Sequence, residues 1–245
     1  MPVTLLAFDT ATEQMSVGVQ VGAQQHVVDA PGGAKASAAL IPAVLALLAQ
    51  AGVRVADLDA VAFGRGPGAF TGLRTACAVA QGLALGAGKP VLAIDSLLAV
   101  AEEARQAAFE SAPELAVWVA MDARMNEIYA AAYAWSQGRW AQRVAPLLTS
   151  AEALNQVWAE APPGVVAGNA LRVFDAVLRP GEAARVPGAL PTARALLALA
   201  AAAWQDGAAL DAALALPLYL RDKVAQTTAE RDAARAARLA SDVSA

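Results

Sequence analysis

A glycine-rich loop between a predicted strand and a predicted helix is the segment best suited to chemistry. Residues 58–74 read LDAVAFGRGPGAFTGLR, in which an apolar run gives way to Gly64, Gly66 and Gly68 at alternate positions. Glycine allows positive φ angles and close backbone approach. Free N–H groups at the start of a helix can bind anions, and Arg74 would add a positive charge. The pattern therefore predicts either an anion site or a tight structural turn.

Two common phosphate-binding signatures are missing from this loop. The GxxxxGK[ST] spacing of a Walker A loop is absent, and the three glycines do not match the GxGxxG pattern of dinucleotide-binding proteins. Short glycine motifs of this kind are frequent in ordinary turns. Spacing alone therefore favours a structural turn over a phosphate-binding loop.

A polar turn after the first predicted strand is the second place where an anion could bind. Asp9, Thr10 and Thr12 follow the apolar run at 3–8. Asp and Thr side chains also close hydrogen-bonded Asx and ST turns, and this structural role is favoured. Residual anion or nucleotide binding is the alternative. The weak candidate site comprises Asp9, Thr10, Gly66, Gly68, Thr71 and Arg74.

The residue types that metal and nucleophile chemistry require are scarce. His26 is the only histidine and Cys77 the only cysteine, whereas a zinc or iron site usually takes several such ligands. Cys77 lies among small residues of a predicted helix, where burial would raise the pKa of its thiol and make it unreactive. We therefore predict neither a metal site nor a catalytic residue in this chain.

The composition indicates a globular chain with a covered surface. Hydrophobic residues make up 58% of the 245 residues and charged residues 16%, which is more apolar than an ordinary soluble domain. Much of the excess is alanine, but the surplus still favours a permanent partner. A protein that binds RNA by itself usually carries a basic face, whereas this chain has a net charge of −4. We therefore expect a partner to make the main RNA contacts.

The same composition predicts a cytoplasmic protein without a membrane segment. A single cysteine suits a reducing compartment, and the N-terminus lacks the basic and apolar regions of a signal peptide. The apolar stretch at 75–94 is interrupted by Gln81, Lys89 and Pro90. It is therefore expected to be a packed helix followed by a strand.

Two predicted helices, at 38–51 and 71–86, carry the strongest indication of an interface. The first has aliphatic stripes around most of its circumference, and the second has small residues at every fourth position. A helix that is apolar almost all round must be buried on more than one side. One face of each helix packs on the chain's own sheet, and the other face is a candidate interface, because exposed apolar patches of this size are uncommon on monomers. The predicted interface residues are Leu40, Ile41, Val44, Leu47, Leu48, Ala76, Ala80, Leu83 and Ala84.

Alternating apolar runs and helical patterns predict a mixed sheet covered by helices, which is the α/β class. Strands are predicted at 3–8, 15–21, 25–29, 58–63, 91–94, 115–121, 128–135 and 164–168, with an edge strand at 216–221. Helices are predicted at 38–51, 71–86, 96–109, 151–159 and 192–205. Ser96 and Ser150 are the predicted N-caps of two of these helices. No internal sequence repeat is visible.

The chain is expected to form two lobes. Residues 1–108 form the predicted N-terminal lobe, to which 216–228 could return. Residues 109–215 form the second lobe. A charged, alanine-rich tail at 229–245 follows as a marginal helix or a disordered segment.

Five segments of the chain, in order, resemble the TsaB family. GRGPGAFTGLR at 64–74 is similar to its GxGPGxFTGxR signature, and LLAFDTATEQMSVGV at 5–19 is similar to its first hairpin. Three other segments of the chain resemble further segments of the family: MDARMNEIY at 121–129, LPTARALLALA at 190–200 and LPLYLRDKVA at 216–225. Each block alone is weak, but the ordered set spans nearly the whole chain and is specific.

The resemblance implies an actin-like fold, of the superfamily that includes sugar kinases and Hsp70 and is ribonuclease H-like in each lobe. It implies action with a homologous catalytic partner, TsaD, and an ATPase partner, TsaE. These proteins transfer a threonylcarbamoyl group to N6 of the adenosine 3′ of the anticodon, in tRNAs that read codons beginning with A. The TsaB-type chain is then a scaffold without an intrinsic cofactor. ATP is used through the partners, tRNA is contacted indirectly, and the chain alone can form a homodimer.

Three alternatives stay open at this point. A free-standing actin-like kinase would need glycine where Thr10 stands, as well as a second phosphate loop. A glycoprotease-like peptidase would need metal ligands, but the segment at 34–41, where TsaD-type proteins carry two histidines, has none. A self-associating structural dimer without RNA chemistry would be distinguished by the absence of a co-purifying TsaD-like protein.

Overall fold

Two five-stranded mixed sheets lie at the centres of two lobes in the computed structural model, which describes residues 3–221. The first sheet contains β1 (Thr4–Asp9), β2 (Gln14–Val21), β3 (Gln24–Pro31), β4 (Ala60–Gly66) and β5 (Val91–Asp95). Its strand order is β3-β2-β1-β4-β5. Strands β1, β2 and β3 are antiparallel neighbours, whereas β4 and β5 run parallel to β1.

The second sheet repeats this topology. It contains β6 (Glu114–Asp122), β7 (Ile128–Ser136), β8 (Arg139–Thr149), β9 (Val165–Ala167) and β10 (Ala184–Val186) in the order β8-β7-β6-β9-β10. The first three strands are again antiparallel, and β9 and β10 run parallel to β6. The repeat is one of topology and not of sequence. This duplication confirms the predicted α/β class and two-lobed actin-like fold.

Helices cover the faces of both sheets. They are α1 (Ala36–Ala51), α2 (Phe70–Ala87), α3 (Ser96–Ala108), α4 (Ala151–Glu160), α5 (Ala170–Val173) and α6 (Ala193–Gln205). Helices α1 and α2 pack on one face of the first sheet, where Leu40 and Val44 meet Phe8 and Val17. Helices α4 and α5 pack on the second sheet around Trp158. Burial of these aliphatic and aromatic side chains is the main force that holds each layer in place.

Helices α3 and α6 each pack on the sheet of the other half of the chain. In α3, Leu97 and Val100 join the core of the second sheet with Val117. In α6, Leu196 packs against Leu5 of the first sheet. The lobe division at residue 108 stays a prediction. The packing nevertheless associates α6, which lies within 109–215, with the first sheet.

Most predicted elements are present with shifted ends, and the differences have local causes. Strands β8 and β10 and helix α5 were not predicted. Ser150 caps α4 as predicted, accepting from the N–H of Ala153, but α3 is capped by Asp95 rather than Ser96. The predicted edge strand at 216–221 is not a strand in the described chain. The predictions for residues 222–228 and for the tail at 229–245 lie outside the described residues.

Helix α2 begins in direct contact with the turn between β1 and β2. The Thr10 hydroxyl donates to the Gly72 carbonyl at 2.7 Å, and the Ala69 N–H donates to the Ala11 carbonyl at 2.8 Å. A Cβ atom on Gly72 would lie 1.8 Å from the Thr10 carbonyl oxygen, and one on Gly68 would lie 2.6 Å from the Ala11 Cβ. Both glycines are needed because two backbones touch here.

Two substitutions in α2 test this contact. We expect Gly72→Ala to destabilise the isolated chain by about 2–3 kcal/mol or more, because the new methyl group forces the helix off the turn. Gly82→Ala, in the same helix, is the matched control, since a Cβ there meets no atom within 4 Å. It should stabilise the chain by up to about 1 kcal/mol through helix propensity. Urea unfolding measures both, and equal effects would contradict the proposed contact.

Candidate functional site

A cleft of about 250 Å³ lies between the lobes. It is lined by the β1–β2 turn, the glycine loop before α2, the start of α3, the β6–β7 loop and the extended segment at 218–221. Most of its walls are apolar. The charged side chains on its lining are Glu13, Asp122, Arg124 and Arg221. Several of the predicted anion-site residues lie at or next to this cleft.

Asp9 is the buried carboxylate beneath this cleft. It accepts a hydrogen bond from the Ser96 hydroxyl at 2.7 Å and one from the Ala11 N–H at 2.6 Å, which is the predicted Asx turn. The Ser96 hydroxyl also accepts from the Gly66 N–H at 3.1 Å. A Cβ on Gly64 would lie 1.7 Å from Asp9 Oδ2, so only glycine fits there. Burial raises the pKa of Asp9 to about 6, although both hydrogen bonds lower it.

The other predicted anion-site residues are also engaged within the chain. Thr10 is fully buried and its hydroxyl is used by Gly72. The Arg74 guanidinium lies 3.9 Å from the centre of the Phe70 ring, and its Nε donates to the Tyr219 hydroxyl at 3.2 Å. Thr71 is exposed at the start of α2. Anion binding here stays a prediction, and these contacts favour the structural role instead.

Ion pairs connect the loops around the cleft. Arg124 pairs with Glu13 at 2.6 Å across the lobes and with Asp122 at 3.4 Å. Arg221 pairs with Glu127 at 2.6 Å and its guanidinium also donates to a backbone carbonyl of the β6–β7 loop. The two carboxylates and the two guanidinium groups of the cleft lining are thus held in ion pairs.

The predicted interface residues need a correction. Seven of the nine are buried in the chain's own core and cannot contact a partner, because they form the inner faces of α1 and α2 against the first sheet. These residues are Leu40, Val44, Leu47, Leu48, Ala76, Ala80 and Ala84. Leu83 is partly buried against the same core, and Ile41 is exposed.

An outer apolar face of α1 and α2 remains, made of different residues. Ile41, Leu45 and Leu85 are 46%, 52% and 74% exposed. Gly82 and Gly86 lie on the exposed side of α2, where a Cβ would meet no atom within 4 Å. By length and composition, the described segment at 33–51 could also cross a membrane, a test that core helices of soluble proteins pass as well. We refer to this surface as the outer face of α1 and α2.

Sequence reasoning missed Ser96 as a site residue. Ser96 follows a strand and was predicted to cap α3, but Asp95 is the cap. The Ser96 hydroxyl instead donates to Asp9 and accepts from the Gly66 N–H of the glycine loop. The Cys77 prediction is confirmed, because the thiol is buried and burial raises its pKa. The adjacent Asp-Ser pair was the available signal for the missed contact.

Comparisons with known proteins agree with one another. A family model described as TsaD, tRNA N6-adenosine threonylcarbamoyltransferase, matches residues 21–229. The tRNA threonylcarbamoyladenosine biosynthesis protein TsaB of Escherichia coli is 32% identical over 232 residues, covering 90% of this chain and 96% of that protein. TsaB of Haemophilus influenzae is 43% identical over 126 residues, about half of each chain. YeaZ from Pseudomonas aeruginosa is similar in structure, with a TM-score of 0.80, 36% identity, and coverage of 89% of this chain and 100% of that one.

The buried Asp9 predicts a pH-dependent stability. The folded chain keeps its proton up to about pH 6, whereas the unfolded chain releases it near the usual value of 3.8. The free energy of unfolding should therefore fall as pH rises through this window. Between pH 5 and pH 7, the wild type should lose roughly 1 kcal/mol more than Asp9→Asn, which cannot ionise. Urea unfolding at both pH values measures this, with exposed Asp175→Asn as the control. Parallel pH profiles for wild type and Asp9→Asn would contradict the assignment.

Proposed function

The chain belongs to the TsaB family, and on that premise we propose that it binds and organises a TsaD-type catalytic subunit in tRNA threonylcarbamoyladenosine biosynthesis. The assembled complex would transfer the threonylcarbamoyl group to N6 of the adenosine 3′ of the anticodon. In this role the chain is a cytoplasmic scaffold, and a TsaE-type ATPase and the catalytic subunit use ATP. Because the chain has a net charge of −4, the partner would make the main contacts with tRNA.

The outer face of α1 and α2 is the observation that carries this proposal. Ile41 and Leu45 on α1 and Leu85 on α2 expose large aliphatic side chains. Next to α2, Leu214 and Leu216 are 65% and 70% exposed, and the backbone carbonyl of the residue between them accepts from the side chain of Gln81 in α2. An apolar surface of this kind is typical of a protein interaction site.

The glycines of α2 support a close helix–helix contact. Glycine inside a helix destabilises it by about 1 kcal/mol relative to alanine. Gly72 is explained by its contact with Thr10, but Gly82 and Gly86 pack against nothing within the described chain. Ala78, Gly82 and Gly86 form a row of small residues on the exposed side, at the spacing that lets another helix approach. Their small size therefore serves a partner.

The interlobe cleft supports a scaffold rather than a kinase. Thr10 and Gly72 bring the β1–β2 turn against α2, and the polar groups of this turn are engaged within the chain. Catalysis in the assembly is therefore assigned to the partner. The occupant that we propose for the outer face is a TsaD-type subunit, which shares the duplicated fold and can present matching helices.

Charge substitutions on the outer face test the proposal. We expect Leu45→Glu and Leu85→Glu each to weaken binding of a TsaD-type subunit at least about 30-fold, because a charge left unpaired in an interface costs about 2–5 kcal/mol. Both side chains are exposed, so the isolated chains should remain folded. Calorimetry measures the binding, and threonylcarbamoyl transfer to a tRNA with purified partners measures the consequence.

The matched control is Val157→Glu on α4, an exposed aliphatic residue of the other lobe. It should bind and support transfer like the wild type. Normal binding by both outer-face variants would overturn the proposed interface. Loss of self-association with unchanged TsaD binding would show that the outer face serves a second copy of the chain, and would also overturn it.

A further inference from the structure

The row of small residues on the outer side of α2 begins at a charged residue. In steps of four back from Gly86, the row passes Gly82 and Ala78 and reaches Arg74. All four residues are exposed. Residues four apart lie above one another on a helix, about 6 Å apart along its axis. A second helix that packs on the small residues would therefore come within reach of the Arg74 side chain.

The guanidinium of Arg74 is held in place by two aromatic residues. It lies 3.9 Å from the centre of the Phe70 ring, and its Nε donates to the Tyr219 hydroxyl at 3.2 Å. The centres of these two rings are 5.2 Å apart. Next to the tyrosine, the Leu218 N–H donates to the Arg65 carbonyl at 2.7 Å, which fixes the segment that carries the ring. An arginine held in this way loses little side-chain entropy when it binds a partner.

The terminal nitrogens of Arg74 are available to an acceptor outside the described chain. Among residues 3–221, Arg74 joins no ion pair, and its Nε makes the one hydrogen bond of its side chain. The guanidinium groups of Arg124 and Arg221 at the cleft, by contrast, already have carboxylate partners. A guanidinium binds a carboxylate through two parallel, charge-assisted hydrogen bonds. Arg74 is thus preorganised for a carboxylate.

A side chain on a docked helix suits this arginine better than a small anion does. Arg74 lines neither the interlobe cleft nor the cavity between α3, α6 and the β7–β8 hairpin. A small anion bound to it would therefore stay in contact with water, where opposite charges attract each other only weakly. A helix packed on Ala78 and Gly82 would cover the guanidinium and exclude water from the pair, which strengthens the attraction.

We propose that Arg74 forms an ion pair with a carboxylate on the TsaD-type helix that packs against the row of Ala78, Gly82 and Gly86. This inference rests on the proposed function and adds a charged anchor to an interface that is otherwise apolar. The small residues set how closely the two helices approach, and the ion pair fixes the position of the partner helix along the row. Arginine and aromatic residues are frequent among the side chains that dominate binding.

Calorimetry of the full chain with a purified TsaD-type subunit tests the ion pair. Arg74→Gln should weaken binding at least about 10-fold, because the partner's carboxylate loses its charged donor. Arg74→Glu should weaken it at least about 100-fold, since two like charges then meet. Arg74→Lys keeps the charge without the planar fork and should lie between wild type and Arg74→Gln. Added salt should weaken binding of the wild type more steeply than binding of Arg74→Gln.

Two further variants separate the contact from general effects of charge. Arg143→Glu on β8 is the matched control, because Arg143 is exposed, lies in the other lobe and undergoes the same change of charge. It should bind like the wild type. Tyr219→Phe removes the hydroxyl that accepts from Arg74 Nε and should weaken binding a few-fold. Urea unfolding checks that every variant is folded.

Substitutions in the partner locate the carboxylate. The acidic residues on the helices of the TsaD-type subunit are replaced by lysine one at a time, and each variant is titrated with the Arg74→Glu chain. One of them should recover at least about 10-fold of the lost affinity, because the opposite charges are then exchanged between the two subunits.

Several results would overturn the ion pair. Normal binding by Arg74→Gln and Arg74→Glu, with a wild type that binds, would remove it and leave the proposed function standing, whereas a wild type that does not bind would remove both. An equal loss in Arg143→Glu would show an effect of net charge alone. Coupling of Arg74→Gln with Asp222→Asn in urea unfolding would place the carboxylate in the chain itself. Normal binding of the subunit with weaker binding of tRNA to the isolated Arg74→Gln chain would indicate an RNA phosphate instead.

Discussion

The contact between the β1–β2 turn and the first turn of α2 determines much of the remaining structure. Thr10 and Ala11 meet Gly68 and Gly72 at backbone distance, with hydrogen bonds in both directions. This contact fixes the angle at which α2 leaves the first sheet. It also encloses the carboxylate at the end of β1, which is then satisfied by Ser96 and the Ala11 N–H. The polar groups at this end of β1 are therefore engaged within the chain.

The same helix has two faces made of small residues. The inner row of Ala76, Ala80 and Ala84 allows α2 to lie close to the first sheet. The outer row of Ala78, Gly82 and Gly86 faces away from the core, with open space beside both glycines. A helix with small residues on two faces can pack on its own sheet through one face and still allow a second helix to approach closely on the other. The family assignment and the exposed aliphatic residues of α1 fit this arrangement.

Sequence patterns predicted most of the fold, because buried strands and apolar helices have strong periodicity. Strand β8 was missed since its residues are largely exposed or half-buried and carry no alternating core pattern. The interface residues could not be placed correctly. In α1, hydropathy does not separate the buried Val44 from the exposed Leu45, because both are aliphatic and only one of them faces the sheet. Glycine spacing likewise could not distinguish a phosphate-binding loop from the contact that Gly72 makes with Thr10. Both require a residue without a side chain.

The exchange of α3 and α6 between the lobes sets the order in which the chain can be completed on the ribosome. One side of the first sheet, which contains Leu5, Ala62 and Leu92, packs against α6. That helix ends at Gln205, after all of the second sheet has been synthesised. Domains usually fold from the N-terminus as they emerge. Here the nascent first lobe exposes an apolar sheet face until the second lobe has been made, so the part that is synthesised first is the part that is finished last.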